Sequence, residues 1–255
     1  MTKILAAIDN SLAAKPVLAM SAALAAVVGA EVEAIHVVED EGQTARANAE
    51  AYEIPFRQLS GDPFQQIVQQ SENEEVVAVV IGARGRRSGR HVGHLAREMA
   101  DAVDKPILVV PPDAEPPEHL HTVVIAMEAS PHKARSLKGA VDVAANADLE
   151  LVVVHVDDED SIPSFSDQVA HETDSYAEEF LARYLHGAPK ARLELRIGVP
   201  ADEIIAAADA AMADVLAIGW PQSRDEQRGA VAREVLDRSR IPVLLIALDD
   251  REEGT

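Results

Sequence analysis

The chain has 255 residues, 47% of them hydrophobic and 26% charged, and its 23 basic against 44 acidic side chains leave a net charge of −21. A surface of that sign repels a nucleic-acid backbone and an anionic membrane, and with no cysteine there is no disulfide, thiolate nucleophile or Cys-based metal site. No apolar run approaches the roughly 18 residues of a membrane span, and the N-terminal stretch meets Asp9 after only five apolar residues, too few for a secretory signal, so a cytoplasmic location is expected.

In chain order, Ile4–Ile8 reads as a first strand, and Ser11 as the cap of a helix running to Gly29. Strands follow at Val32–Val38 and about Phe56–Leu59, then Asp62-Pro63 as cap and first residue of a second helix. Val76–Ile81 is a fourth strand, Leu95 to about Val103 a helix stopped by Lys-Pro, and Ile107–Val110 a fifth strand. These short apolar runs do not alternate with polar residues, as expected of a parallel sheet buried on both faces. The Pro-rich stretch Pro111 to Pro117 then reads as a linker.

Beyond the linker the chain repeats itself. At an offset of 119, Ile4 to Ser11 falls on Val123 to Ser130, and His36-Val37 on His155-Val156. At an offset of 137, Gly61-Asp-Pro63 falls on Gly198-Val-Pro200 and Ile81-Gly82 on Ile218-Gly219. At 136, Ala96-Arg97-Glu98 falls on Ala232-Arg233-Glu234 and Pro106 to Val110 on Pro242 to Ile246. The expected architecture is therefore two doubly wound α/β, Rossmann-like domains in tandem: residues 1–112, a linker at 113–120, residues 121–249 and a tail at 250–255. The shift in offset puts an insertion of 18 residues in the second half, an acidic one between 157 and 197. Pro106 and Pro242 open strands that tolerate a missing donor, as edge strands do, and bare apolar edges invite pairing.

Charge is uneven. Residues 1–112 carry 10 basic and 15 acidic groups and the remainder 13 and 29, so the second half holds −16 of the −21. Nine acids and no Lys or Arg lie between Asp157 and Glu179, read first as a solvated loop and helix face and otherwise as a docking or divalent-ion surface. Against this background Arg84, Arg86, Arg87, Arg90 and Arg97 cluster in the first half.

In a doubly wound sheet ligands sit beyond the carboxyl ends of the strands, where the strand order reverses. Asp9 stands at such an end, and the fourth strand runs through Gly82, Gly85, Gly89 and Gly93 toward a helix. Glycines there let backbone N–H groups converge on an anion, the helix start adds a favourable field, and arginines fork onto phosphate oxygens. A plain strand-to-helix connection has the same composition. The corresponding segment of the second half, Gly219 to Gly229, keeps two glycines and two arginines, adds two acids and contains Pro221, which removes a donor. If an anion binds anywhere, it is therefore expected in half one at Gly82–His94 and not in the matching loop of half two.

Ala7-Ile-Asp9-Asn-Ser11, His36-Val37, Gly61-Asp-Pro63, Ile81-Gly82-Ala-Arg-Gly85-Arg and Lys105 to Val110 together make the chain resemble the universal stress protein family, in its tandem two-domain form. The resemblance implies that the two fifth strands, Ile107–Val110 and Val243–Ile246, pair to make an internal pseudo-dimer. It also implies binding of ATP or a related adenine nucleotide, with magnesium as a companion, at a G-x2-G-x9-G-[ST] loop. Carried over, the phosphate-holding roles fall on Gly82, Gly85 and Gly93, the ribose on Asp9 and the adenine pocket on Val37; Arg84, from the loop's own composition, is the arginine expected to reach a phosphate. The sequence departs from that pattern: seven residues rather than nine separate Gly85 from Gly93, and His94 stands where the family has a hydroxyl. Half two departs further, with Glu128 for the aspartate and Trp220-Pro-Gln222 across the second glycine, and Trp220 reads as a packed aromatic.

Three function classes remain open on these residues. The first is a stress-response protein that binds an adenine nucleotide in domain 1, with domain 2 degenerate. The second is a scaffold or regulatory module that binds no nucleotide and meets an unidentified protein partner. The third, a slow ATPase, has no catalytic residue to name. The family implies a homodimer of chains, without a residue here that marks it. His36 and His155 sit at duplicated strand ends and read as hydrogen-bonded structural side chains before metal ligands, and His119 and His121 in the linker have no third ligand type beside them.

Overall fold

The computed structural model describes residues 1–11, 13–38, 43–83, 94–128, 130–157, 179–183, 185, 191–221 and 229–248, the side chains of 38, 94, 131 and 132 excepted. The strands of half one are β1 (Lys3–Ala7), β2 (Glu31–Val38), β3 (Phe56–Ser60), β4 (Val76–Gly82) and β5 (Ile107–Val110). Those of half two are β6 (Thr122–Ala126), β7 (Glu150–Asp157), β8 (Arg192–Ile197), β9 (Val215–Pro221) and β10 (Val243–Leu248). All ten form one sheet in the order β3-β2-β1-β4-β5-β10-β9-β6-β7-β8. Each half is parallel with its first strand interior, so strand order reverses beside β1 and again beside β6.

The halves join through the two fifth strands, as the resemblance implied. β5 and β10 pair antiparallel with Ile107 opposite Leu245, Leu108 opposite Leu244 and Val109 opposite Val243. Because Leu108 and Leu244 are themselves repeats at an offset of 136, the pseudo-twofold axis passes through that pair. All four residues of β5 are buried, which removes the exposed apolar edge each half alone would present.

The helices are α1 (Ala14–Val28), α2 (Gln43–Ala51), α3 (Pro63–Ser71), α4 (His94–Ala102), α5 (Pro131–Asn146), α6 (Pro200–Ala210) and α7 (Ala230–Arg238). They cover both faces. One core packs Val17, Leu18, Ala45, Leu137 and Val141 from α1, α2 and α5 on one face of the sheet. The other packs Ile67, Met99, Ile204 and Val235 from α3, α4, α6 and α7 on the opposite face. Both cores run without a break from half one into half two.

Local chemistry places the starts of α3 and α6. Asp62 accepts a hydrogen bond from the Gln65 amide at 3.0 Å and Pro63 fills the first turn of α3. The glycines ahead of α3 and α6, Gly61 and Gly198, both have positive φ, at 122° and 146°, which explains why that residue survives in both repeats. Two features differ from expectation. The cap residue of α1 is Ala13 rather than Ser11, whose hydroxyl instead accepts from the Ala13 amide at 3.2 Å. α2 was not anticipated: it buries only Ala45 and Ala49, too little apolar surface to make a pattern. The connection carrying α2 spans 39–55 in half one, and its counterpart in half two is the longer 158–191, which includes helical residues 179–183.

Candidate functional site

Register brings the half-one candidates to one edge. Ala7 lies opposite Ile35 of β2 on one side and Ile81 of β4 on the other, so the residues after β1 emerge level with His36-Val37 and Gly82-Ala83. The Ile8 amide extends the ladder to the Ile35 carbonyl at 2.9 Å, and the Ala83 amide bonds the Val110 carbonyl at 2.8 Å. Asp9, Val37 and Gly82 thus stand at the carboxyl ends of three adjacent strands, at the reversal in strand order, and all three are partly exposed. Arg84, Gly85 and Gly93 lie outside the described residues, as does the His94 side chain, whose backbone opens α4.

The turn after β1 is held by its own side chains. Asp9 Oδ1 accepts from the Ser11 amide at 2.9 Å, a local turn that leaves Oδ2 without a partner among the described residues. Asn10 reaches α2, its Oδ1 accepting from the Ala45 amide at 2.9 Å. Buried His36 donates from Nδ1 to the Ile8 carbonyl at 2.9 Å and so pins the end of β1 to β2. The same bond recurs in half two, where His155 Nδ1 donates to the Met127 carbonyl at 2.9 Å. Both histidines therefore serve the structural role read from their duplication.

Arg97, the last of the clustered arginines, is engaged with half two. It sits on α4, and its Nη2 is 2.5 and 2.6 Å from the two carboxylate oxygens of Asp237 on α7, across the pseudo-twofold axis. Asp101, also on α4, accepts from the indole Nε1 of Trp220 at 2.9 Å. Neither contact has a local signal, since their partners lie 140 and 119 positions apart in sequence. The repeat carries the one signal there is: Arg97 and Asp101 recur at an offset of 136 as Arg233 and Asp237.

Half two is built differently at the matching edge. β9 continues past Gly219 through Trp220 and Pro221, paired with Ile246, Ala247 and Leu248 of β10, whereas β4 ends at Gly82 opposite Val110. A Cβ on Gly219 would lie 2.7 Å from Leu248 Cδ2, and one on Gly229, at φ 83°, 2.7 Å from Pro221 Cγ. Trp220 is 2% exposed, with the Arg233 guanidinium 5.6 Å from its ring centre, a packed aromatic as its sequence context suggested. At the other end of the same edge Glu128 pairs with Lys133 at 2.5 Å. His155 stands 5.3 Å from the ring of buried Phe180 and 3.3 Å from Asp157 Oδ1.

Among the described residues no three His, Asp or Glu side chains gather as a metal-binding group, and His119 and His121 are exposed. No described helix is long and apolar enough to cross a membrane.

A doubly wound tandem sheet joined through its fifth strands, with a glycine-bearing strand end at each reversal, defines a class, and comparison with known proteins names it. The model of the universal stress protein family matches residues 1–58, 40–111 and 119–247. The chain belongs to that family. Across 98% of its length it is similar to a universal stress protein from Archaeoglobus fulgidus DSM 4304, of which it covers 97%, at 20% identity and a TM-score of 0.69. It is similar to a functionally unknown protein from Pseudomonas aeruginosa PAO1 over 98% of this chain and 94% of that one, at 18% identity and a TM-score of 0.74. A putative universal stress protein from Pseudomonas aeruginosa UCBPP-PA14 matches over the same shares, at 18% identity and a TM-score of 0.73. Likeness at these identities concerns the fold. No curated protein matches the chain.

Proposed function

We propose that domain 1, residues 1–112, binds an adenine nucleotide, ATP or a relative with its magnesium, and that domain 2, residues 121–249, does not. The observation that carries the first part is the meeting of Asp9, Val37 and Gly82 at the carboxyl ends of three adjacent strands. On this reading Val37 borders the base, Asp9 accepts from the ribose hydroxyls, and the phosphates lie over Gly82, Gly85 and Gly93. Arg84 and His94 supply charge-assisted donors in place of the family hydroxyl. The protein's work is then binding and orientation. Hydrolysis forms no part of the reading, because no general base is assigned.

The second part is supported by what occupies half two. A phosphate cradle needs free amides beyond the strand, and there the chain stays in the β9–β10 ladder for two residues past Gly219. Leu248 and Pro221 take the space that bare glycines would leave open. A scaffold reading gains one specific observation: Arg97, one of the clustered arginines, is spent on an acidic residue of half two.

Calorimetry with ATP, ADP and AMP at fixed magnesium and salt tests the proposal. Arg84→Ala is expected to weaken binding by roughly 1–3 kcal/mol, the worth of a charge-assisted bond, and Gly85→Val to abolish it by blocking backbone approach. No heat and no melting shift with millimolar nucleotide favours the scaffold instead.

A further inference from the structure

We propose that Asp101 and Trp220 are positioning residues for the half-one site: half two, at the point where its own anion loop would start, holds the helix that begins at the half-one loop. The inference rests on the nucleotide reading of domain 1. α4 and α7 are repeats, and the pseudo-twofold axis between β5 and β10 runs them in opposite directions, so that each begins at its own half's strand ends and finishes beside the other's. Symmetry therefore prescribes two crossed contacts, Arg97 with Asp237 and Arg233 with Asp101. The first is present. At the second, Trp220 contacts both residues, its Nε1 donating to Asp101 and its ring centre 5.6 Å from the Arg233 guanidinium.

The arrangement runs one way. Ala83 is the half-one counterpart of Trp220 at an offset of 137, and a methyl group offers no donor to Asp237. Half two thus carries its strand on through Trp220 and Pro221, and the indole placed there holds the far end of the half-one helix. Along its inner side α4 is held by Ala96, Met99 and Ala100, small or flexible contacts that resist lifting but hardly fix rotation or sliding along the axis. Directional bonds at Arg97 in the first turn and Asp101 in the last supply that missing constraint. A binding site needs its elements held to within a fraction of an ångström, and α4 starts at His94, immediately after the loop assigned to phosphate.

Trp220 is the protein's one tryptophan, which provides the test on the full chain. Nucleotide titration is expected to change Trp220 emission with the same midpoint that calorimetry gives. Asp101→Ala and Trp220→Phe should each weaken ATP binding by about tenfold, the worth of one hydrogen bond to a charged acceptor. The double variant should be no weaker than either single one, and Asp101→Asn, which keeps an acceptor oxygen, should retain most of the affinity. Val141→Ala, in the half-two core away from α4, is the control for lost stability: it should lower the melting temperature and leave affinity unchanged. Wild-type affinity in both Asp101→Ala and Trp220→Phe, or losses that Val141→Ala reproduces at equal melting temperature, overturns the positioning role and leaves the nucleotide reading standing. A chain that binds no adenine nucleotide overturns both.

Discussion

Single residues carry the difference between the two halves. Gly82 and Gly219 descend from one position, yet Gly219 is pressed by Leu248 because β10 runs on where β5 stops. A Cβ at 2.7 Å from a leucine methyl requires that side chain to shift within a packed sheet edge. Gly219→Ala is thus expected to cost about 1–3 kcal/mol, read as a lower urea midpoint, while nucleotide affinity stays as it is. A neutral effect on stability would mean that this edge is loose and that half two keeps room for a ligand. His36 and His155 follow the opposite course, since the repeat kept the same Nδ1 bond to the end of the first strand in both halves. That bond, made from a buried place at the junction, accounts for the retained imidazole.

Among the elements, β8 shows how the sheet ends. It is an outer strand, with Arg192, Glu194 and Arg196 at alternate positions and hence on one face. Arg196 bonds both Glu194 and Glu203, and Arg192 bonds Glu194, a charged lattice that discourages another strand from docking. Burial pushes the Glu194 carboxyl up, but the guanidinium bonds from Arg196 and Arg192 outweigh it and hold the group below its usual range. A depressed carboxylate stabilises the fold above the ordinary titration and loses that contribution as pH falls through its folded value. Glu194→Gln is accordingly expected to lower stability by up to about 1 kcal/mol at neutral pH, with the gap to wild type closing in acid. A gap that persists or widens in acid would remove the ion lattice as its cause. The elements also mark what the sequence makes legible. The strands of half one and the duplicated Gly-x-Pro helix starts could be read because burial on both faces leaves apolar runs in β1, β4 and β5 and a turn needs positive φ. α2 could not, because two buried alanines make no period and its tie to Asn10 comes from 35 residues away. The Arg97 bridge was hidden for the same reason, its partner being brought near only by the pairing of β5 with β10. Asp9 and Gly82 could be placed at strand ends because those ends follow from the βα pattern, whereas Val37 is named through the family resemblance alone. The closure of half two was not legible, since it depends on how far β10 extends.

At the scale of the molecule, one continuous sheet and two cores that cross its centre make the halves a single body. The duplicated fold has kept its joint, the β5–β10 pair, and diverged at its strand ends, β4 ending at Gly82 and β9 running on to Pro221. Charge divides the halves as well, the second carrying −16 of the −21, a field that disfavours an anion there. The central claim is that of one open and one closed site, and the stoichiometry of nucleotide binding to the intact chain tests it most directly. The account predicts one ATP per chain by calorimetry, lost in Gly85→Val and retained in Gly219→Ala. Two equivalents per chain, or one that survives Gly85→Val, would contradict it.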